Sequence, residues 1–432
     1  MRKKLLAVLM TGAMVASFAG SATAVFAKSD DDNKLTVWAW DQNFNIKAMN
    51  IAGEQYAKDH EGFKVDVVET SSDDCQTKLT TAANAGDYST LPDIVLMQDN
   101  SYQKYLKSYP DAFTDLKDIN INWDDFGKLK QSYSMVDDTH YGVPFDNGAV
   151  IACYRTDILD EAGYTIDDLT DITWDRFIEI GKDVLDKTGM PMLTNVQGEP
   201  DLLNMILQSA GISVFDEDGK ISLVNNDGLK EAMNVYMDLI NAGILQEQTD
   251  WSGYQGSINN GTVVGTINGS WICATITSTD QAEQEGNWAV TNMPKLNDYP
   301  GATNYSAQGG STWAISSSSK NYDLAVDFFK TTWAGSTEFY DNILSQLGAI
   351  ATYLPAADSD AYNQVSDYFG GEAIYSKIVS YGSNIPTINK GIYWSEEKEA
   401  LGTALTNVLN GSSDLDSAIE EAQATIEFNI GQ

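Results

Sequence analysis

Between residues 35 and 108, short runs of β-branched and aromatic residues alternate with stretches of helical periodicity. That alternation restricts the chain to a mostly parallel α/β sheet. Residues 35–40 (Leu-Thr-Val-Trp-Ala-Trp) read as a strand. Residues 45–60 follow as a helix, with Ile46, Met49, Gly53 and Tyr56 on one face. A strand at 63–69, a helix at 74–85 stopped by Gly86, a strand at 92–97 and a helix from about Ser101 repeat the unit. Ligands of such sheets bind beyond the carboxyl ends of the strands. The loops at those ends are Asp41-Gln42-Asn43 and Gln98-Asp99-Asn100.

A second series begins at 141–146, an extended stretch, and 149–154, a strand. Helices are expected at 157–162, 174–185 and 227–242, the last amphipathic and closed by Gly243. Asp218-Gly219 is a turn signal. Strands are expected at 261–267, running into Asn268-Gly-Ser-Trp271, at 288–293, stopped by Pro294, and at 313–316. A helix at 322–333 follows, and the remainder is largely helical. The chain has 432 residues, more than one core usually supports, so two domains are expected. A second lobe inserted into the first would produce this element order.

The amino terminus reads as a secretory signal at 1–27, with Arg2, Lys3 and Lys4 ahead of an apolar run and small residues at two cleavage positions. Residues 28–33 form a polar lead-in. No later stretch has the ~20 apolar residues of a spanning helix, so the mature chain is not expected to span a membrane. Phe18-Ala-Gly-Ser21 carries serine where a lipid-anchored protein would carry cysteine, which argues against a lipid tether. The formal charge is −36, and losing the three basic residues of the leader makes it −39. Such a surface repels nucleic acid and anionic lipid. Cys75, Cys153 and Cys273 form neither a disulfide framework nor a metal spacing, and one bridge remains open. No cofactor or metal site is indicated. His60 and His140 are the only histidines, and neither sits in a triad or metal context. No nucleophile elbow or phosphate loop is present. A secreted glycosidase would need two carboxylates flanking a sugar bond; abundance of acids does not identify such a pair. No catalytic residue is assigned.

Eight pieces occur in order: 35–40; Pro92-Asp-Ile-Val95; Tyr141-Gly-Val-Pro144; Tyr154-Arg-Thr-Asp157 leading to Ala162-Gly163; Thr173-Trp-Asp-Arg-Phe177; Asn268-Gly-Ser-Trp271; Gly309-Gly-Ser-Thr-Trp-Ala-Ile315; and the closing helices. In this order they resemble the family 1 extracellular solute-binding proteins, which include the maltose-binding proteins. The resemblance covers nearly all of 34–428. It implies a periplasmic-binding-protein-like fold: two α/β lobes, a ligand cleft between them and interdomain hinge crossings, near Asp146, Ile276 and Ala314. The lobes are then expected at 34–146 plus 276–314, and at 147–275 plus 315–432. It also implies an exported, monomeric, non-enzymatic protein of the cell surface or periplasm. That protein would capture a mono- or oligosaccharide and dock on the permease subunits of an ABC importer.

The cleft residues suit a sugar, whose C–H faces stack on aromatic rings and whose hydroxyls pair with carboxylates and amides. Trp38 and Trp40, on either side of Ala39, are expected to point oppositely, with Trp40 facing the cleft. Asp41, Gln42 and Asn43 follow it. Asp99 and Asn100 cap the third strand, and Asp146 and Asn147 sit at the first crossing. By resemblance, Trp271 is the stacking platform, Glu199 lies at a ligand-contact position, and Trp394 closes the far end. Trp251 sits in Asp250-Trp-Ser-Gly-Tyr254, expected as a loop too polar for a core tryptophan. Gly309 and Gly310 would let backbone approach the ligand. Trp123, Trp174, Trp288 and Trp333 are expected in the core. A cationic ligand would suit acids and aromatics too.

Overall fold

The computed structural model describes residues 33–216, 219–278 and 282–431. The expected signal at 1–27 and Asp218 of the expected turn lie outside them. The first sheet begins with three parallel strands, β1 (Lys34–Ala39), β2 (Lys64–Glu69) and β3 (Ile94–Gln98), in the order β2-β1-β3. Helices α1 (Asn45–Ala57) and α2 (Ser72–Ala85) make the crossovers. Local chemistry sets the limits of α2: the Ser71 hydroxyl accepts from the Asp74 amide at one end, and Gly86 takes a left-handed conformation at the other. Leu35, Val37 and Ala39 are buried, whereas Trp38 and Trp40 are half-buried. The two tryptophans share one phase of the alternation, because residues two apart in a strand lie on the same side. The expectation that they point oppositely therefore fails.

The sheet is completed by two later segments. The strand Ser311–Ile315 pairs antiparallel with β3, and Val143–Asp146 pairs antiparallel with Ser311–Ile315. Its core extends to Phe328, Phe329, Trp333, Phe339 and Ile343, from helices Tyr322–Thr331 and Thr337–Leu347. Trp313 is fully buried between Phe145 and Trp333, each about 5.5 Å away by ring centroid.

The second lobe is built on an antiparallel sheet in which Val150–Arg155 is flanked by Gly265–Gly269 and Trp288–Thr291. A further parallel pair joins Leu193–Val196 to Leu245–Gln248. Its main core takes in helices Trp174–Thr188, Asp201–Ser209, Asp227–Asn241, Trp394–Leu409 and Leu415–Ile430. A second cluster gathers Cys153, Cys273, Trp288 and Ile374.

Two borders differ from the expected ones. Trp288–Thr291 pairs with Val150–Arg155, so 276–314 does not go as a block with the first sheet. Residues 322–347 pack under the first sheet rather than in the second lobe. The chain leaves the first lobe after Asp146, returns to it at Ser311 and leaves again after about Ala356, the last first-core residue before Tyr362 joins the second lobe. The first two crossings touch backbone to backbone: Gln308 N–H donates to the Gly148 carbonyl at 2.7 Å. A Cβ at Gly148 would meet the Gln308 carbonyl oxygen at 2.1 Å, so only glycine fits. Among the described residues no helix is long and apolar enough to cross a membrane.

Candidate functional site

The lobes meet through side chains carried at the ends of these elements. Asp41, just past β1, uses one carboxylate oxygen to accept the Asn43 and Phe44 amides, which fixes the turn into α1. Its other oxygen faces Gln255 of the second lobe at 3.4 Å, and the nearby Trp251 indole also favours the charged carboxylate. Burial raises the Asp41 pKa, opposed by these hydrogen bonds. Trp251 does not lie in a loop. It starts the helix Trp251–Asn259, capped by Asp250, and stacks on Tyr254 with ring centroids 4.7 Å apart. Trp271 lies 5.6 Å from Trp251, packs against the cores of both lobes and donates its indole N–H to the Gln308 carbonyl at 3.1 Å.

At the far end, Gln76 accepts from Ser395, Lys104 pairs with Glu396 at 2.5 Å, and Lys390 donates to Asn100 at 3.4 Å. Each of these contacts joins a first-lobe residue to the segment 390–396 of the second. Between the lobes there, a cavity of about 680 Å³ is lined by Gln76 and Gln98 from one side and by Glu199, Trp394 and Lys398 from the other. Asp73 and Tyr105 also line it. Gly402 packs the helix Trp394–Leu409 onto the loop before Glu199 so closely that a Cβ would lie 1.9 Å from the Gly198 carbonyl oxygen. That approach places Lys398 2.5 Å from the Glu199 carboxylate.

The sequence candidates therefore separate. Asp41, Trp251 and Trp271 come together at one end of the interlobe junction, and Glu199 and Trp394 line the cavity at the other. Trp40 is half-buried beside the first core, and its amide is held by Asn45. Gln42 is exposed and bonded to Glu69, Asn43 serves the turn, and Asn147 is exposed and donates to the Ala351 carbonyl. Asn100 faces Lys390. Asp99 and Asp146 are only 4 % and 2 % exposed, with bonding oxygens occupied by Lys130 and Thr312 and by Ser311 respectively. Their bonds tie the strand ends at the hinge together. Gly309 and Gly310 differ from expectation as well. Both have positive φ; a Cβ at Gly309 would crowd the Trp271 indole nitrogen at 3.0 Å, and one at Gly310 would collide with the Asp99 carboxylate at 2.7 Å. Their small size makes room for protein side chains. Of the four expected core tryptophans, Trp174, Trp288 and Trp333 are fully buried, while Trp123 is half-buried and stacks on His140 at 3.6 Å.

Behind Trp394 lies Glu397, 2 % exposed. Burial pushes its carboxyl up to about 8, with Lys390 opposing. The folded state thus holds this proton where the unfolded chain has lost it. Stability from this group is full below about pH 4.5 and is lost as pH rises towards 8. Glu397→Gln should therefore melt several degrees higher than the parent at pH 8 and no higher at pH 4.5, as read by thermal denaturation at the two pH values.

The bacterial extracellular solute-binding protein family matches residues 51–369. A lactose-binding protein of Rhizobium radiobacter is 34 % identical over 417 residues, covering 96 % of this chain and 97 % of the relative. An arabinooligosaccharide-binding protein of Halalkalibacterium halodurans is 22 % identical over 92 % of this chain and 86 % of its own length. The ABC transporter associated binding protein of B. animalis subsp. lactis, solved with β-1,6-galactobiose, superposes with a TM-score of 0.79 at 20 % identity, over 92 % of this chain and 97 % of that one. The acarbose-binding GacH receptor of Streptomyces glaucescens superposes at 0.76 and 16 % identity, over 92 % and 98 %. With its two α/β lobes and interlobe cavity, the chain belongs to the bacterial extracellular solute-binding proteins.

Proposed function

We propose that this chain captures a galactose-containing disaccharide or short oligosaccharide between its lobes and delivers it, as an exported monomer, to the permease subunits of an ABC importer. One observation carries the reading: a cavity of about 680 Å³ at the lobe junction that combines an indole with carboxylate, amide and ammonium groups. That combination suits the two surfaces of a sugar ring, and the volume lies within the range of small-molecule sites. The lactose-binding relative, alignable over nearly the whole of both chains, supports the galactoside. The reading is of binding without turnover and without a cofactor. Export rests on the leader at 1–27.

A thermal-shift panel tests it. Lactose, β-galactobiose, arabinooligosaccharide, maltose, a polyamine and a dipeptide are each added to the mature chain. A ligand bound only by the folded state raises the melting temperature. The galactosides should give the largest rise. A rise with the polyamine or dipeptide alone would overturn the sugar assignment, and hydrolysis of any oligosaccharide would overturn binding without turnover.

A further inference from the structure

The cavity holds a charge arrangement that ring stacking alone does not require. Lys398 is the one cation among its described lining residues, against Asp73, Glu199 and Glu399. Lys398 lies one helical turn beyond Trp394, so the ammonium stem and the indole share a face of the same helix. Its ammonium is 2.5 Å from Glu199, which comes from the loop held against Gly402. Asp201, the first residue of the helix Asp201–Ser209, also attracts it, as does Asp73 from the opposite lobe. Burial alone would lower the Lys398 pKa, but Asp201, Glu199 and Asp73 together outweigh it, so the lysine stays charged.

An ammonium beside a carboxylate is a matched reader of two adjacent hydroxyls. One hydroxyl donates to the carboxylate, its neighbour accepts from the ammonium, and the ring between them lies on the indole. An amine in place of one hydroxyl would meet Lys398 as a like charge.

We propose that Lys398 sets the charge specificity of this cavity: paired with Glu199, it admits a neutral ring with adjacent hydroxyls stacked on Trp394 and rejects the same ring bearing an amine. This rests on the sugar-binding reading above and adds a selectivity determinant to it. Removing Lys398 leaves the carboxylates without their counter-charge, and the cavity then prefers the cation.

The test is calorimetric titration of the mature full chain with lactose and with its 2-amino-2-deoxy analogue, for the parent, Lys398→Met and Lys398→Arg. The parent should bind lactose at least about tenfold more tightly than the amine, the order expected for one charged hydrogen bond. Lys398→Met should lose about tenfold or more for lactose and reverse the preference, while Lys398→Arg keeps the parent's order. Should Lys398→Met not fold, Lys398→Gln, which keeps a polar side chain and removes the charge while leaving Glu199 in place, supplies the same comparison. An unchanged lactose-to-amine ratio in the methionine variant overturns the role of Lys398 while leaving sugar binding intact. A parent that binds neither compound overturns the sugar reading and this proposal with it.

Discussion

Replacing Lys130 with methionine is expected to destabilise the protein by about 3–5 kcal/mol, the usual effect of stranding a buried charge. Lys130 is 8 % exposed. Its ammonium bonds Asp99 and the Ser311 carbonyl, and it is the cation that Asp146 also feels. Burial pushes Asp146 up to about 6, Lys130 opposes that, and Asp99 adds to it. Without the lysine, two buried acids share the hinge, with Lys390 the remaining cation acting on Asp99. They sit where the first crossing leaves the sheet and the second returns, so the loss acts on the joint between the lobes. Protonating the acids relieves the repulsion. The deficit should therefore be larger at pH 8 than at pH 5. Urea denaturation at both values checks this. A deficit below about 1 kcal/mol, the level of an exposed pair, would contradict a buried hinge network.

Replacing Trp271 with alanine is expected to weaken ligand binding by about 1–3 kcal/mol, a loss of roughly 5- to 150-fold. Trp271 touches the cores of both lobes, lies 5.6 Å from Trp251 and bonds Gln308 at the crossing. A Cβ at Gly269 would lie 2.2 Å from its indole nitrogen, so the neighbouring backbone is shaped around the ring. Alanine removes the ring on which both lobes pack and its tie to the hinge, so the lobes hold the ligand less firmly. Trp271→Phe, which keeps the face and loses the N–H, should recover part of the affinity. Titration of folded variants reads the effect. Equal affinity for parent and alanine variant would remove Trp271 from the site.

The elements were legible because their signals are local. Leu35, Val37 and Ala39 alternate into the core, and Ser71 and Gly86 bracket α2. Sheet membership was not legible. Trp288–Thr291 looks like any buried strand, and only its pairing with Val150–Arg155 assigns it to the second lobe. The same holds for 322–347, whose apolar residues could have faced either core. At the site, Glu199 and Trp394 were identified by resemblance. Asp99 follows from the end of the third strand and Asp146 from the first crossing, and nothing local shows that Lys130 and Ser311 would occupy them. Lys398 was missed although a signal existed: it follows Trp394 by four residues on one helix, which places both on one face. Gln76 carries no such signal, because its position depends on how α2 meets the other lobe.

Calorimetric titration of the mature chain with lactose and β-galactobiose tests most directly whether the junction between the lobes binds a neutral galactoside. A saturable 1:1 isotherm with at least one of them, lost or strongly weakened when Trp394 on the cavity wall is replaced with alanine, is the expected result. No saturable heat with either sugar, or an isotherm that Trp394→Ala leaves unchanged, would contradict it.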